Sequence, residues 1–185
     1  MTPLENVKEI FNLYQQYGED DYIGEPVSQI EHMCQAADFA KEEGFDDEVI
    51  LAAFFHDIGH FCFRENNKSM DGYGNINHEK IGADYLRAKG FSERIAKLVE
   101  NHVAAKRYLT FKDHNYYSKL SEASKKTLEF QGGVMTKDEA EMFENDDLFE
   151  MSIKMRMWDE AAKETNKPLP DIEIFKNMAL EILTK

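Results

Sequence analysis

Apolar residues recur along this chain at three- and four-residue intervals, and nowhere do they alternate over the length of a strand. Val7, Ile10, Phe11 and Tyr14 form one such stripe and predict a helix over 4–17, ended by Gly18. Pro26 suits the first turn of a second helix over 26–43, with Ile30, Met33, Cys34, Ala37, Phe39 and Ala40 on its apolar side. The run Val49-Ile50-Leu51-Ala52-Ala53-Phe54-Phe55 predicts a buried helix over 47–58, with Asp46 and Asp47 at its positive end. Residues 63–76 read as a polar loop. Asn77 and Ser92 are candidate N-caps for helices over 78–88 and 93–106, and Thr136 with Glu139 reads as a capping box. Further helices are expected over 121–130, 147–165 and 171–184, while the polar and aromatic stretch 110–120 resists assignment. The pattern is all-α, a single domain over 1–185 with helices packed around a central site.

Composition narrows the partners. The formal net charge of −14 argues against nucleic acid, whose phosphates would be repelled over most of the surface. It leaves room for a small anion held by local cations, such as Lys106-Arg107, Lys125-Lys126 or Arg156. No stretch is long and apolar enough for a membrane span, and the first residues carry no secretory pattern. Cys34 and Cys62 make no disulfide framework, so a reducing cytoplasm is expected. No pattern in the chain specifies an oligomeric state.

The candidate chemistry begins at His56-Asp57-Ile58-Gly59-His60, which closes the apolar run. Two histidines and an aspartate there need something that consumes their polarity, and a metal ion does so. Taken alone, His56-Asp57 reads equally well as a satisfied core histidine beside a helix-terminal aspartate. The other polar residues on apolar helices tip the balance. His32, His78, His102 and Asp159 each fall on a separate predicted helix, and Asp159 follows Met155-Arg156-Met157-Trp158. Four histidines and two aspartates exceed what one tetrahedral ion needs. A carboxylate bridging two ions about 3.5–4 Å apart accounts for the surplus, with Asp57 the best candidate for the bridge. The nitrogen and oxygen donor set suits iron, manganese or zinc.

Helical spacing adds two cations. Lys106 lies one turn beyond His102, and Arg156 lies three residues before Asp159, each on its ligand's face. Two cations beside a metal cavity suit a phosphate or phosphonate. His60 can turn into the same cavity, either as a ligand or, since six others are available, as a hydrogen-bond donor behind them. His114 sits in a polar stretch and is expected in solvent.

The string His32, His56-Asp57, His78, His102, Asp159 resembles the HD-domain superfamily in its dinuclear form. The segments Asp21-Tyr22-Ile23-Gly24-Glu25, Gly72-Tyr73-Gly74, His78 to Arg87, Asn101 to Leu109, Lys126-Thr127-Leu128-Glu129, Gln131-Gly132-Gly133 and Trp158-Asp159-Glu160 are similar to its mixed-valent di-iron organophosphonate oxygenases. The resemblance implies an Fe(II)/Fe(III) pair and O2 as cosubstrate. The implied reaction is cleavage of the C–P bond of 2-amino-1-hydroxyethylphosphonate, giving glycine and phosphate. It implies that His32, His56, Asp57 and Asp159 hold one iron, and that Asp57 bridges to a second held by His78 and His102. Tyr22 would coordinate an iron until substrate arrives, and Glu25 would receive the substrate ammonium. Lys106, Ser124, Arg156 and His60 would grip the phosphonate. A trimethylammonium analogue fits the same resemblance. The alternative is a metal-dependent phosphohydrolase on the same fold, which has no evident need for Tyr22 and Glu25.

Overall fold

The computed structural model describes residues 1–22, 24–62 and 70–185. Among these, regular structure is helical. The elements are α1 (Pro3–Tyr17), α2 (Gln29–Glu42), α3 (Asp47–Phe55), a 3-10 turn (Ile58–His60), α4 (His78–Ala88) and α5 (Glu93–Lys112). They continue as α6 (His114–Lys119), α7 (Glu122–Phe130), α8 (Lys137–Glu144), α9 (Phe149–Ala161) and α10 (Glu173–Thr184). Much of the expected loop 63–76, from Phe63 to Ser69, lies outside the described residues.

The core is built around α3, whose residues Val49 to Phe55 are all buried. This continuous apolar run cannot face water on any side, so other helices enclose it. Helices α1 and α10 cover one flank. Tyr14 stacks on Phe54 at 4.6 Å, and Phe54 stacks on Phe175 at 4.3 Å. The Tyr14 hydroxyl donates to the Phe54 carbonyl at 3.0 Å, so its one polar atom is satisfied inside the core. Helices α2, α5 and α9 close the other flank.

Four boundaries depart from the sequence pattern. Helix α2 begins at Gln29 rather than 26, because Ser28 and Glu31 form a capping box. Pro26 instead lies in a turn closed by the antiparallel bridge Asp21–Ser28. Helix α3 ends at Phe55, and the chain tightens into the 3-10 turn. A Cβ at Gly59 would collide with the His78 carbonyl, so glycine lets this turn pack against the start of α4. Helix α5 runs on to Lys112, because Tyr108 continues its apolar side onto Phe143 and Phe149. Asp113 then caps α6 through the Asn115 amide at 2.8 Å, which gives the unassigned stretch its structure. Helix α9 ends at Ala161, so Asp159 sits in its last turn rather than its middle. Asn77 precedes α4 with a left-handed backbone and makes no side-chain cap.

Candidate metal centre

Six ligand candidates converge from five elements. His32 comes from α2, His56 and Asp57 from the end of α3, His78 from the first position of α4, His102 from α5 and Asp159 from α9. All are buried, none more than 3% exposed. The two oxygens of Asp57 face different histidines. Oδ2 lies 3.6 Å from His32 Nε2 and 3.5 Å from His56 Nε2. Oδ1 lies 3.3 Å from His78 Nε2 and 3.4 Å from His102 Nε2. Asp159 Oδ1 joins the first group, 3.3 Å from His32 Nε2 and 3.9 Å from His56 Nε2.

The hydrogen bonds outside this cluster fix its chemistry. His32 Nδ1 faces the Ala162 carbonyl at 2.9 Å, His56 Nδ1 the Ala53 carbonyl at 2.8 Å, His102 Nδ1 the Val99 carbonyl at 2.6 Å and His78 Nδ1 the Asn75 carbonyl at 3.3 Å. A carbonyl can only accept, so each Nδ1 carries a proton and each neutral ring turns its Nε2 lone pair inward. His32 and His56 then meet Nε2 to Nε2 at 3.0 Å, and His78 and His102 at 3.1 Å. Lone pairs at that range, beside two carboxylates, require positive charge between them. Burial alone would depress the His56 pKa, yet the Asp57 and Asp159 carboxylates lift it to about 9. A proton and a metal ion are competing answers to that demand. Burial alone would raise the Asp57 carboxyl, but His56, His102 and His78 hold it well below the usual carboxylate range. The residues present therefore fit metal ions, in two sets that share Asp57.

His60 has the opposite tautomer. The Asn75 backbone N–H donates to His60 Nδ1 at 3.1 Å, so the neutral ring carries its proton on Nε2. Burial and the neighbouring His78 imidazole hold its pKa well below normal. Its Nε2 lies 3.9 Å from Asp57 Oδ1, close enough to be mistaken for a ligand. In that tautomer the ring presents a donor rather than a lone pair to the cluster. It stacks on His78 at 4.0 Å, and a Cβ at Gly74 would strike it.

Beside the cluster is a cavity of about 110 Å3, lined by residues that include Tyr22, Glu25, His60, Lys106, Ser124 and Arg156. Lys106 is buried, donates to Thr127 Oγ1 at 3.0 Å, and has its pKa drawn down to about 7 by burial and by Arg156. Arg156 is buried, pairs with Asp159 and Glu160, and donates from Nε to the Tyr116 hydroxyl at 2.9 Å. Tyr22 lies flat on His32 at 4.0 Å, and burial raises its phenol pKa well above normal. Glu25 pairs with Lys163 at 2.8 Å. His114 is exposed and away from the cavity. Lys125 and Lys126 form i to i+3 pairs with Glu122 and Glu129 on the outer side of α7.

Sequence reading missed Thr127, Tyr116, Asn75 and Lys163. The first three orient Lys106, Arg156 and His60, and Lys163 pairs with Glu25. Nothing in their spacing announces this, because each partner comes from a distant element.

A domain family matches at this point. The HD domain profile covers residues 29–131, from α2 through the end of α7, and the chain belongs to that family. Three relatives match over nearly the whole chain. It is 38% identical over 97% of its length to the [1-hydroxy-2-(trimethylamino)ethyl]phosphonate dioxygenase (glycine-betaine-forming) of Leisingera caerulea, covering 91% of that protein. It is 38% identical over 93% of its length to the hydroxymethylphosphonate dioxygenase of Gimesia maris, covering 85% of that protein. An uncharacterised protein of Acanthamoeba polyphaga mimivirus is 44% identical over 98% of this chain and 84% of its own. No described helix is long and apolar enough to cross a membrane.

Proposed function

We propose that this protein is a di-iron oxygenase that uses O2 to cleave the C–P bond of 2-amino-1-hydroxyethylphosphonate. The products are glycine and phosphate, or an N-methylated glycine or betaine when the amine is methylated. The observation that carries the reading is the juxtaposition of a ligand cluster split across Asp57 with a buried wall of anion-binding groups. In this assignment His32, His56, Asp57 and Asp159 hold one iron, and Asp57, His78 and His102 hold the other. When bound as an Fe(II)/Fe(III) pair, the irons supply oxygen binding and one-electron chemistry.

The chain's own residues orient the substrate. Lys106, Arg156, Ser124 and the Nε2–H of His60 bind phosphonate oxygens and hold C1 toward the ligand cluster. Tyr22 is assigned the position beside the iron held by His32, yielding it to substrate. Glu25 receives the amino end. The reaction balances without an external reductant. C1 loses its C–H and C–P bonds and becomes the carboxylate carbon, and the electrons released match those that reduce one O2 fully.

Oxygen uptake and phosphate release by iron-loaded enzyme test the reading. The expected result is one O2 consumed per phosphate released from the hydroxyphosphonate, and no phosphate without O2. Anaerobic release of phosphate from phosphate esters would instead make the protein a metal-dependent phosphohydrolase.

A further inference from the structure

The Glu25–Lys163 pair sets what the amino end of the cavity can recognise. Glu25 lines the cavity and its side chain is 9% exposed; Lys163 does not line it. Lys163 Nζ donates to Glu25 Oε1 at 2.8 Å.

The backbone that carries Lys163 is pinned on both sides by α2. Before it, the Ala162 carbonyl accepts from His32 Nδ1 at 2.9 Å. After it, Glu164 and the Gln35 amide exchange two hydrogen bonds, at 2.9 and 3.0 Å. Glu25 is held independently, in the turn where its N–H donates to the Tyr22 carbonyl at 2.9 Å and Tyr22 N–H donates to the Val27 carbonyl at 3.0 Å. Two fixed backbones thus bring the ammonium to the carboxylate. The pair is not the chance meeting of two long surface side chains.

A carboxylate paired at this distance presents little net charge to a third group. What survives is a directional acceptor, because Oε2 still takes a hydrogen bond. A head group that carries N–H or O–H gains that bond. A quaternary ammonium has no donor and gains only the weakened field. We infer that Lys163 is a positioning and specificity-determining residue, holding Glu25 by one oxygen and selecting phosphonates with a hydrogen-bonding head group over those with a trimethylammonium. This inference rests on the phosphonate reading above and deepens it. Selection arises because the paired lysine withdraws charge attraction that both head groups would share, leaving a contact only one can make.

Binding without turnover separates the inference from the reaction. Dissociation constants for 2-amino-1-hydroxyethylphosphonate and its trimethylammonium analogue would be measured by calorimetry on iron-loaded enzyme without oxygen. Wild type should bind the primary amine more tightly. Lys163→Met should move the ratio of the two constants about tenfold toward the trimethylammonium compound at unchanged iron content, and Lys163→Arg should restore the wild-type ratio. An unmoved ratio in Lys163→Met, an equal shift in Lys163→Arg, or no binding of either phosphonate would overturn the inference. Absence of oxygen-dependent phosphate release in air would overturn the oxygenase reading and leave the binding ratio to decide the role of Lys163.

Discussion

The two sides of the cavity are built differently. On the ligand side every candidate is almost fully buried, and four imidazoles are each locked by a backbone carbonyl. The Ala53 and Val99 carbonyls lie inside core helices α3 and α5 and the Ala162 carbonyl lies at the C-cap of α9, so three of the four imidazoles move only if the core moves, while His78 is held from the loop before α4. On the substrate side His60 is set by the Asn75 backbone N–H, but the other orienting contacts are between side chains. Lys106 leans on Thr127, Arg156 on Tyr116, and Glu25 on Lys163. Two of those partners sit on short helices, α6 with six residues and α7 with nine. Metal geometry is thereby tied to global stability, whereas substrate preference can be retuned locally. Damage on the two sides should therefore have different signatures: lost metal on one, weakened substrate with metal retained on the other.

The hardest blow to the ligand side is Asp57→Asn. It removes one of two carboxylate oxygens that face separate histidine pairs. Iron content should fall for both positions together, and turnover should drop by more than the ~100-fold seen when partners behind a ligand are lost. Metal analysis per chain decides the matter. Two irons at wild-type occupancy would remove the bridge from the site.

Gly59→Ala should break the ligand side from within its own backbone. The added Cβ meets the His78 carbonyl, a main-chain atom that cannot rotate away, so α4 must shift. A cost of about 1–3 kcal/mol is expected, the range for overpacking, read from the denaturant midpoint. The iron assigned to His78 and His102 should be lost before the one assigned to His32, His56 and Asp159. Equal loss of both would mean that the halves are not separable.

This contrast also explains how far the sequence could be read. Ligand residues stand out because a histidine or aspartate in an apolar helix is conspicuous, and His32, His56, Asp57, His78, His102 and Asp159 all met in space. Lys106 and Arg156 were legible from one-turn spacing to a ligand. The tautomer of His60 was not, since it depends on an amide fifteen residues away in a loop. Nor was the Glu25–Lys163 pair, which spans 138 residues. Helix starts marked by Ser92, Thr136 and Asp46 followed local capping chemistry. Ends failed where tertiary contact decided them, at Lys112, where α5 rides on a second aromatic cluster, and at Ala161, where His32 takes the next carbonyl.

On the substrate side, Lys106→Ala should separate substrate binding from metal loading. A charge-assisted hydrogen bond of about 1.5–3 kcal/mol corresponds to a roughly 10–100-fold rise in KM. Iron content should stay at the wild-type value, because Lys106 touches Thr127 and the cavity rather than a ligand nitrogen. Iron lost in proportion to substrate affinity would erase the distinction between the two sides.

The finest test is Tyr116→Phe. Arg156 already gives its terminal nitrogens to Asp159 and Glu160, and only Nε reaches the Tyr116 hydroxyl, at 2.9 Å. Removing that oxygen leaves the guanidinium paired but free to swing about the helix that carries it. The loss is one hydrogen bond to a charged group that keeps its ion pairs, so the lower end of the range applies, about 0.5–1.5 kcal/mol. A three- to tenfold fall in kcat/KM, carried mostly by KM, is the expected reading at that energy. Iron content and thermal midpoint should hold, because Tyr116 lies on a helix with no buried residues. A fall in iron content would place Arg156 on the ligand side through Asp159, and the boundary between the two sides would then run through that ion pair.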